Sequence, residues 1–101
     1  MPDGRPDQIP DRLGEVGAGW YPILTRLHEQ LLAVDPDYEV GQLKEKYGGL
    51  RVYLGGMSDR MDDMEQLVEA AEDESLRTCE YCGKPGQPNG AGWIKTTCAT
   101  C

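Results

Sequence analysis

The chain has no Phe, a single His (His28) and only 7% aromatic residues among its 101 positions. It has no apolar run near the roughly 20 residues that a membrane helix needs, so a spanning segment is not expected. Basic residues are also scarce, with ten Lys plus Arg against eighteen Asp plus Glu and a formal net charge of −8. That balance disfavours a surface built mainly for phosphate contacts. One His leaves little room for the His-centred constellations of hydrolytic enzymes. The first seven residues hold no apolar signal core, which leads us to expect the cytoplasm. A chain of this length forms one domain and buries roughly two-thirds of its unfolded surface. Cores so small often rely on a metal or disulfides for support.

Residues 1–18 are rich in Pro and Gly and poor in large apolar side chains. Such a composition does not repay the entropy of ordering, so it reads as a mobile N-terminal arm. Residues 19–101 are expected to form a single α+β domain. Its first element is a helix from about Trp20 to Val34, because Ile23, Leu24, Leu27, Leu31 and Val34 recur at helical spacing. Pro22 suits the first turn, and Asp35-Pro36 stops the helix. Trp20 and Tyr21 read as residues that pack back on the helix start, with a partner-binding patch as their alternative.

Two β-rich runs then flank Gly48-Gly49, which reads as the turn of a hairpin. Leu50, Val52 and Leu54 alternate onto one face. This register sets Tyr47 against Leu50 and Glu45 against Val52, an awkward second pairing. Lys44, Lys46 and Arg51, with Tyr47 and Tyr53 beside them, make the one basic cluster. It is expected to be neutralised by Glu39, Glu45 and the acidic helix that follows.

That helix, from Ser58 to about Leu76, carries eight acids and one base, a local charge of −7. The rest of the chain is nearly neutral, at −1. Ser58 or Asp59 is the expected N-cap, and Asp62 and Asp63 sit in the favourable first turn. The stripe at three- and four-residue steps runs through Met57, Met61, Met64, Leu67, Val68, Ala71 and Ser75. The acidic face reads first as a solvated surface. Its sharper reading is a docking surface for a basic protein partner, centred on Glu65, Glu69 and Glu72.

The strongest signal is Cys79-Glu80-Tyr81-Cys82, fifteen further residues, then Cys98-Ala99-Thr100-Cys101. Paired C-x2-C turns at this spacing match the template for a tetrahedral zinc site. Gly83 lets the chain reverse so that backbone N–H groups face the sulfurs. Lys84 and Lys95 are expected to offset the negative charge of the four thiolates. Two disulfides would need an oxidising compartment, and iron on four thiolates cannot be separated from zinc by ligand type. One structural Zn2+ on Cys79, Cys82, Cys98 and Cys101 is the favoured reading. A four-Cys site is closed to substrate, so the chain is expected not to be an enzyme. His28 reads as a structural histidine. Trp93, in the strand-like stretch before the second Cys pair, is expected to shield the metal.

Gly19-Trp20-Tyr21-Pro22-Ile23, Lys44-Glu45-Lys46-Tyr47-Gly48-Gly49-Leu50-Arg51-Val52-Tyr53, Cys79-Glu80-Tyr81-Cys82-Gly83 and Gly92-Trp93-Ile94-Lys95-Thr96 together resemble a group of small bacterial and phage or prophage proteins. The resemblance spans residues 19–101, and in similar proteins the last ligand position is sometimes His. It implies a bacterial or phage origin and no activity. The expected architecture is a helix, a β-hairpin, an acidic helix and a C-terminal four-Cys zinc ribbon or knuckle. The leading expectation for function is a non-enzymatic protein-interaction module, such as a phage-encoded modulator of a host protein. The alternative is a nucleic-acid-binding zinc ribbon using Lys44, Lys46, Arg51 and Trp93.

Overall fold

A computed structural model describes residues 7–56, 59–90 and 94–100. The elements run α1 (Ile9–Arg12), α2 (Tyr21–Val34), β1 (Glu39–Lys46), β2 (Gly49–Gly55), α3 (Met61–Ser75), β3 (Gln87–Asn89) and β4 (Lys95–Thr97), with short 3-10 turns between α1 and α2. The architecture is α+β with two separate antiparallel hairpins, β1–β2 and β3–β4.

Helix α2 forms where the periodicity placed it, and it buries Ile23, Leu24, Leu27 and Leu31. These meet Tyr38, Val40 and Leu43 of the β1 region, Leu50 and Val52 of β2, and Met64, Val68 and Ala71 of α3 in one apolar cluster. The Arg26 guanidinium, 2.8 Å from Glu74, ties α2 to α3 at the surface. Helix α3 starts at Met61 after Arg60, with no side-chain cap bond from that N-cap residue. The expected cap Ser58 lies outside the described residues. Asp62 and Asp63 do occupy the first turn.

The hairpin corrects the expected register. Lys46 pairs with Gly49, so the two-residue turn is Tyr47-Gly48 rather than Gly48-Gly49. Both turn residues have positive φ, 54° for Tyr47 and 81° for Gly48, as a type I′ turn requires. The one-residue shift pairs Leu43 with Val52 and Glu45 with Leu50. Moving the turn by one residue moves each pair by two, so the faces are unchanged: Leu43 now meets Val52, and Glu45, opposite Leu50, is satisfied by Lys95.

Helix α3 also closes the outer edge of β2. The Leu50 N–H donates to Ser75 Oγ and the Val52 N–H to Glu72 Oε2, each at 2.9 Å. An open strand edge invites unwanted pairing, and side-chain acceptors from a covering helix prevent it. Glu72, expected on a docking surface, is therefore used inside the fold. Glu65 and Glu69 remain exposed.

The expected mobile arm is also corrected, for the part that is described. Residues 7–18 pack on the domain, with Ile9 and Val16 buried in the core cluster. The Asp7 carbonyl accepts a 2.8 Å bond from the Val40 N–H. The Gln8 side-chain amide donates to the carbonyls of Pro36 and Tyr38. Two isolated apolar residues gave no periodic signal, yet each fills a place in a small core. Tyr38 completes this corner: its hydroxyl accepts from the Ile9 N–H and shares a short hydrogen bond with His28 Nδ1. Burial raises the Tyr38 pKa, against the lowering effect of the Ile9 N–H. His28 thus has a structural partner in Tyr38.

Candidate metal centre

Past α3 the chain turns through Leu76–Thr78 and enters the first Cys pair. The Cys79 N–H donates to the Lys84 carbonyl and the Gly83 N–H to the Cys79 carbonyl, closing a tight loop around residues 79–84. Gly83 takes φ +81° at the reversal, a value that L side chains avoid. Thr78 bridges to Pro85, after which β3 pairs with β4 and returns the chain to Cys98.

The sulfurs of Cys79, Cys82 and Cys98 all lie within 4.8 Å of one another, and Cys82 Sγ is 3.4 Å from Cys98 Sγ. Zn–S bonds of about 2.3 Å in a tetrahedron place sulfurs about 3.8 Å apart, so this spacing fits one cation. Cys79 is fully buried and Cys82 is exposed. Burial pushes the Cys79 thiol pKa up, but the backbone N–H groups of Cys82, Cys98 and Tyr81 aimed at its sulfur outweigh that and hold it below the usual value. Preformed N–H donors favour a thiolate, which is the form that binds metal. The Thr100 hydroxyl lies 3.3 Å from Cys98 Sγ. Three of the four expected ligands thus converge into a set that could hold a metal ion. The fourth, Cys101, and the expected shield Trp93 lie outside the described residues.

The surroundings of the knuckle were not foreseen from sequence. The Gly17–Trp20 segment lies directly against it. The Gly19 N–H donates to the Glu80 carbonyl at 2.7 Å, and Trp20 Nε1 donates to the Thr78 carbonyl at 2.9 Å. A Cβ on Gly19 would sit 2.1 Å from the Cys79 carbonyl oxygen, and one on Gly17 2.4 Å from that of Glu80. Both backbones are fixed, so only glycine fits. The closely spaced glycines before Trp20 were the available signal, and they read as flexibility instead. Trp20 is completely buried and Tyr21 packs on the core cluster. Trp20 is therefore an internal anchor, which corrects its alternative reading as partner-binding surface.

Glu80 is buried within the knuckle. Its Oε2 accepts from the Gly17 N–H at 3.2 Å, and its Oε1 lies 3.5 Å from Lys95 Nζ. Lys95 Nζ donates to Glu45 Oε1 at 2.8 Å. Lys95 thus bridges two carboxylates, and the expectation that it offsets thiolate charge is corrected. Its pKa is raised, first by the hydrogen bond to Glu45 and then, against desolvation, by the Glu80 charge. Burial alone would raise the Glu45 carboxyl, but Lys95 and the Gly48 N–H bring it below its ordinary value. Thr96 adds a second tie: its hydroxyl donates to the Gly48 carbonyl, and its own carbonyl accepts from the Glu80 N–H. Strand β4, which leads into Cys98, is thereby fastened both to the knuckle and to the tip of the β1–β2 hairpin.

Comparison with protein-family models, with curated proteins and with solved structures finds no match to this chain. Among the described residues, no helix is long and apolar enough to cross a membrane.

Proposed function

We propose that this chain is a non-enzymatic protein-interaction module stabilised by one structural zinc ion on Cys79, Cys82, Cys98 and Cys101. The observation that carries the reading is the convergence of three sulfurs around a donor-lined knuckle. Four thiolates complete the coordination and leave no position for a substrate. The thiolate set belongs in a reducing compartment such as the cytoplasm. A basic protein partner is steered by α3, where Glu65 and Glu69 stand exposed on a helix of strongly negative charge.

Two measurements test this. Elemental analysis of the purified chain should give about one zinc per molecule, as a single four-thiolate site requires. A chain that keeps its full stability without metal contradicts the reading, and a coloured iron centre contradicts the choice of zinc. Affinity capture from the source cell, with wild type compared against Glu65→Lys/Glu69→Lys, should return a basic protein that the variant loses. Identical recovery with both removes α3 as the contact surface.

A further inference from the structure

The outer face of the β1–β2 hairpin carries a feature that the metal centre and α3 do not use. Leu43, Leu50 and Val52 face the core. Strand alternation then sends Lys44, Lys46, Arg51 and Tyr53 outward. Lys44 stands directly opposite Arg51, and Gln42 opposite Tyr53. Lys44 Nζ lies 5.8 Å from the centre of the Tyr53 ring, and Lys46 Nζ 5.5 Å from that of Tyr47. Of the acids expected to neutralise these cations, those of α3 line a groove beside Arg51 without a direct ion pair to it. Glu45 faces the other way, to Lys95, and Lys44, Lys46 and Arg51 make no ion pair among the described residues. Three unpaired cations and two exposed tyrosines therefore share one face of an acidic protein.

Tyr47 supplies an independent observation. It is 68% exposed, and among the described residues it is the one non-glycine residue with positive φ. Asn, Asp or Gly is the ordinary occupant of this turn position. A large aromatic held there in an unfavourable conformation, without burial, is an outlier of the kind that accompanies function.

We propose that this face binds single-stranded nucleic acid, independently of the α3 reading. Bases stack on Tyr47 and Tyr53, and phosphates meet Lys44, Lys46 and Arg51. An acidic peptide would satisfy the cations but would give no reason for the exposed ring at the tip. The geometry also selects strand number. Glu65, Glu69 and Glu72 line a groove together with Arg51 and Tyr53, so a second strand would be pressed against carboxylates. The site holds two or three nucleotides, because the five strand positions from Tyr53 to the tip span about 16 Å at about 3.3 Å each.

Fluorescence anisotropy of the zinc-loaded full chain with a short labelled oligothymidylate tests this. Binding at low salt is expected with Kd on the order of 10–100 μM, and log K should fall with log salt at a slope of about −2 for three phosphate contacts. A duplex of the same length should bind at least about tenfold more weakly. Tyr47→Asn relieves the strained turn, so its Tm should not fall, while affinity drops about tenfold through loss of one stacking platform. Lys44→Glu/Arg51→Glu should abolish binding, and Glu65→Gln/Glu69→Gln should strengthen it. Absence of binding at low salt overturns the proposal. So does equal binding of polyglutamate, which would assign the face to an acidic protein. An unchanged affinity in a folded Tyr47→Asn variant overturns it as well.

Discussion

The two ends of this domain are held by different forces. From Trp20 to the end of α3, the elements α2, β1, β2 and α3 enclose a continuous apolar cluster in which Trp20, Leu24, Leu27, Leu31, Leu50 and Met64 are essentially inaccessible. Beyond residue 76, the buried described residues are Cys79, Glu80 and Thr96, a thiol, an acid and a hydroxyl. The first part resists unfolding by removing apolar surface from water. The second, among its described residues, buries almost none. It stands on backbone hydrogen bonds, the Glu45–Lys95–Glu80 cluster and a convergent set of sulfurs. Under the proposed reading, stability is thus divided, with the apolar part resting on burial and the knuckle resting on a bound cation.

The largest expected effect comes from the metal. Binding to structural zinc sites contributes on the order of 10 kcal/mol in model peptides. Chelation, or Cys82→Ser, should therefore unfold residues 77–90 and 94–100 while far-UV circular dichroism retains the α2 and α3 signal. Next is the contact between the two parts. Trp20→Ala should cost about 4 kcal/mol in a denaturant melt, from lost burial and an unpaired Thr78 carbonyl. Gly19→Ala should cost about 3 kcal/mol, since its Cβ would meet the fixed Cys79 carbonyl oxygen. Trp20→Ala damages both parts, whereas Gly19→Ala should mainly loosen the knuckle and weaken zinc affinity.

A smaller effect concerns pH. The Glu45 carboxyl is depressed in the fold, so its contribution is present above its unfolded pKa and is lost as pH falls through the folded value. Lys95 is raised, so its contribution is present below its unfolded pKa and is lost as pH rises through the folded value. The pair therefore helps from about pH 5 to about pH 10. Glu45→Gln should cost about 1–2 kcal/mol at neutral pH and flatten the acid limb of the stability profile relative to wild type. Smallest, and of opposite sign, is Tyr47→Asn, which should stabilise the hairpin by about 0.5–1 kcal/mol.

Much of this division was legible in the sequence, and the failures have physical causes. Helix α2 was readable because five apolar residues at helical spacing leave one solution. The paired C-x2-C motifs were readable because metal ligation demands that spacing. The hairpin was found but its turn was misplaced by one residue, because Gly-Gly is the better turn former by propensity. The structure instead places the turn at Tyr47-Gly48, where Leu43 pairs with Val52 and Glu45, opposite Leu50, reaches Lys95. The contribution of residues 7–19 was invisible because it rests on Ile9, Val16 and two glycines whose value is what they lack. Close backbone approach leaves no periodic trace. Glu72 was misread because its role as an acceptor for the Val52 N–H depends on where α3 lies against β2.

The most direct test of this account is amide hydrogen exchange, followed residue by residue in the zinc-loaded chain and after chelation. The account predicts that protection is lost across residues 77–90 and 94–100, and at the Gly19 N–H bonded to Glu80, while the amides of α2, β1, β2 and the body of α3 keep theirs. Uniform loss of protection throughout the chain would contradict it, because the helix–hairpin part would then depend on the metal too. Unchanged protection at the Cys79, Glu80 and Gly83 amides would contradict it equally, because the knuckle would then need no metal at all.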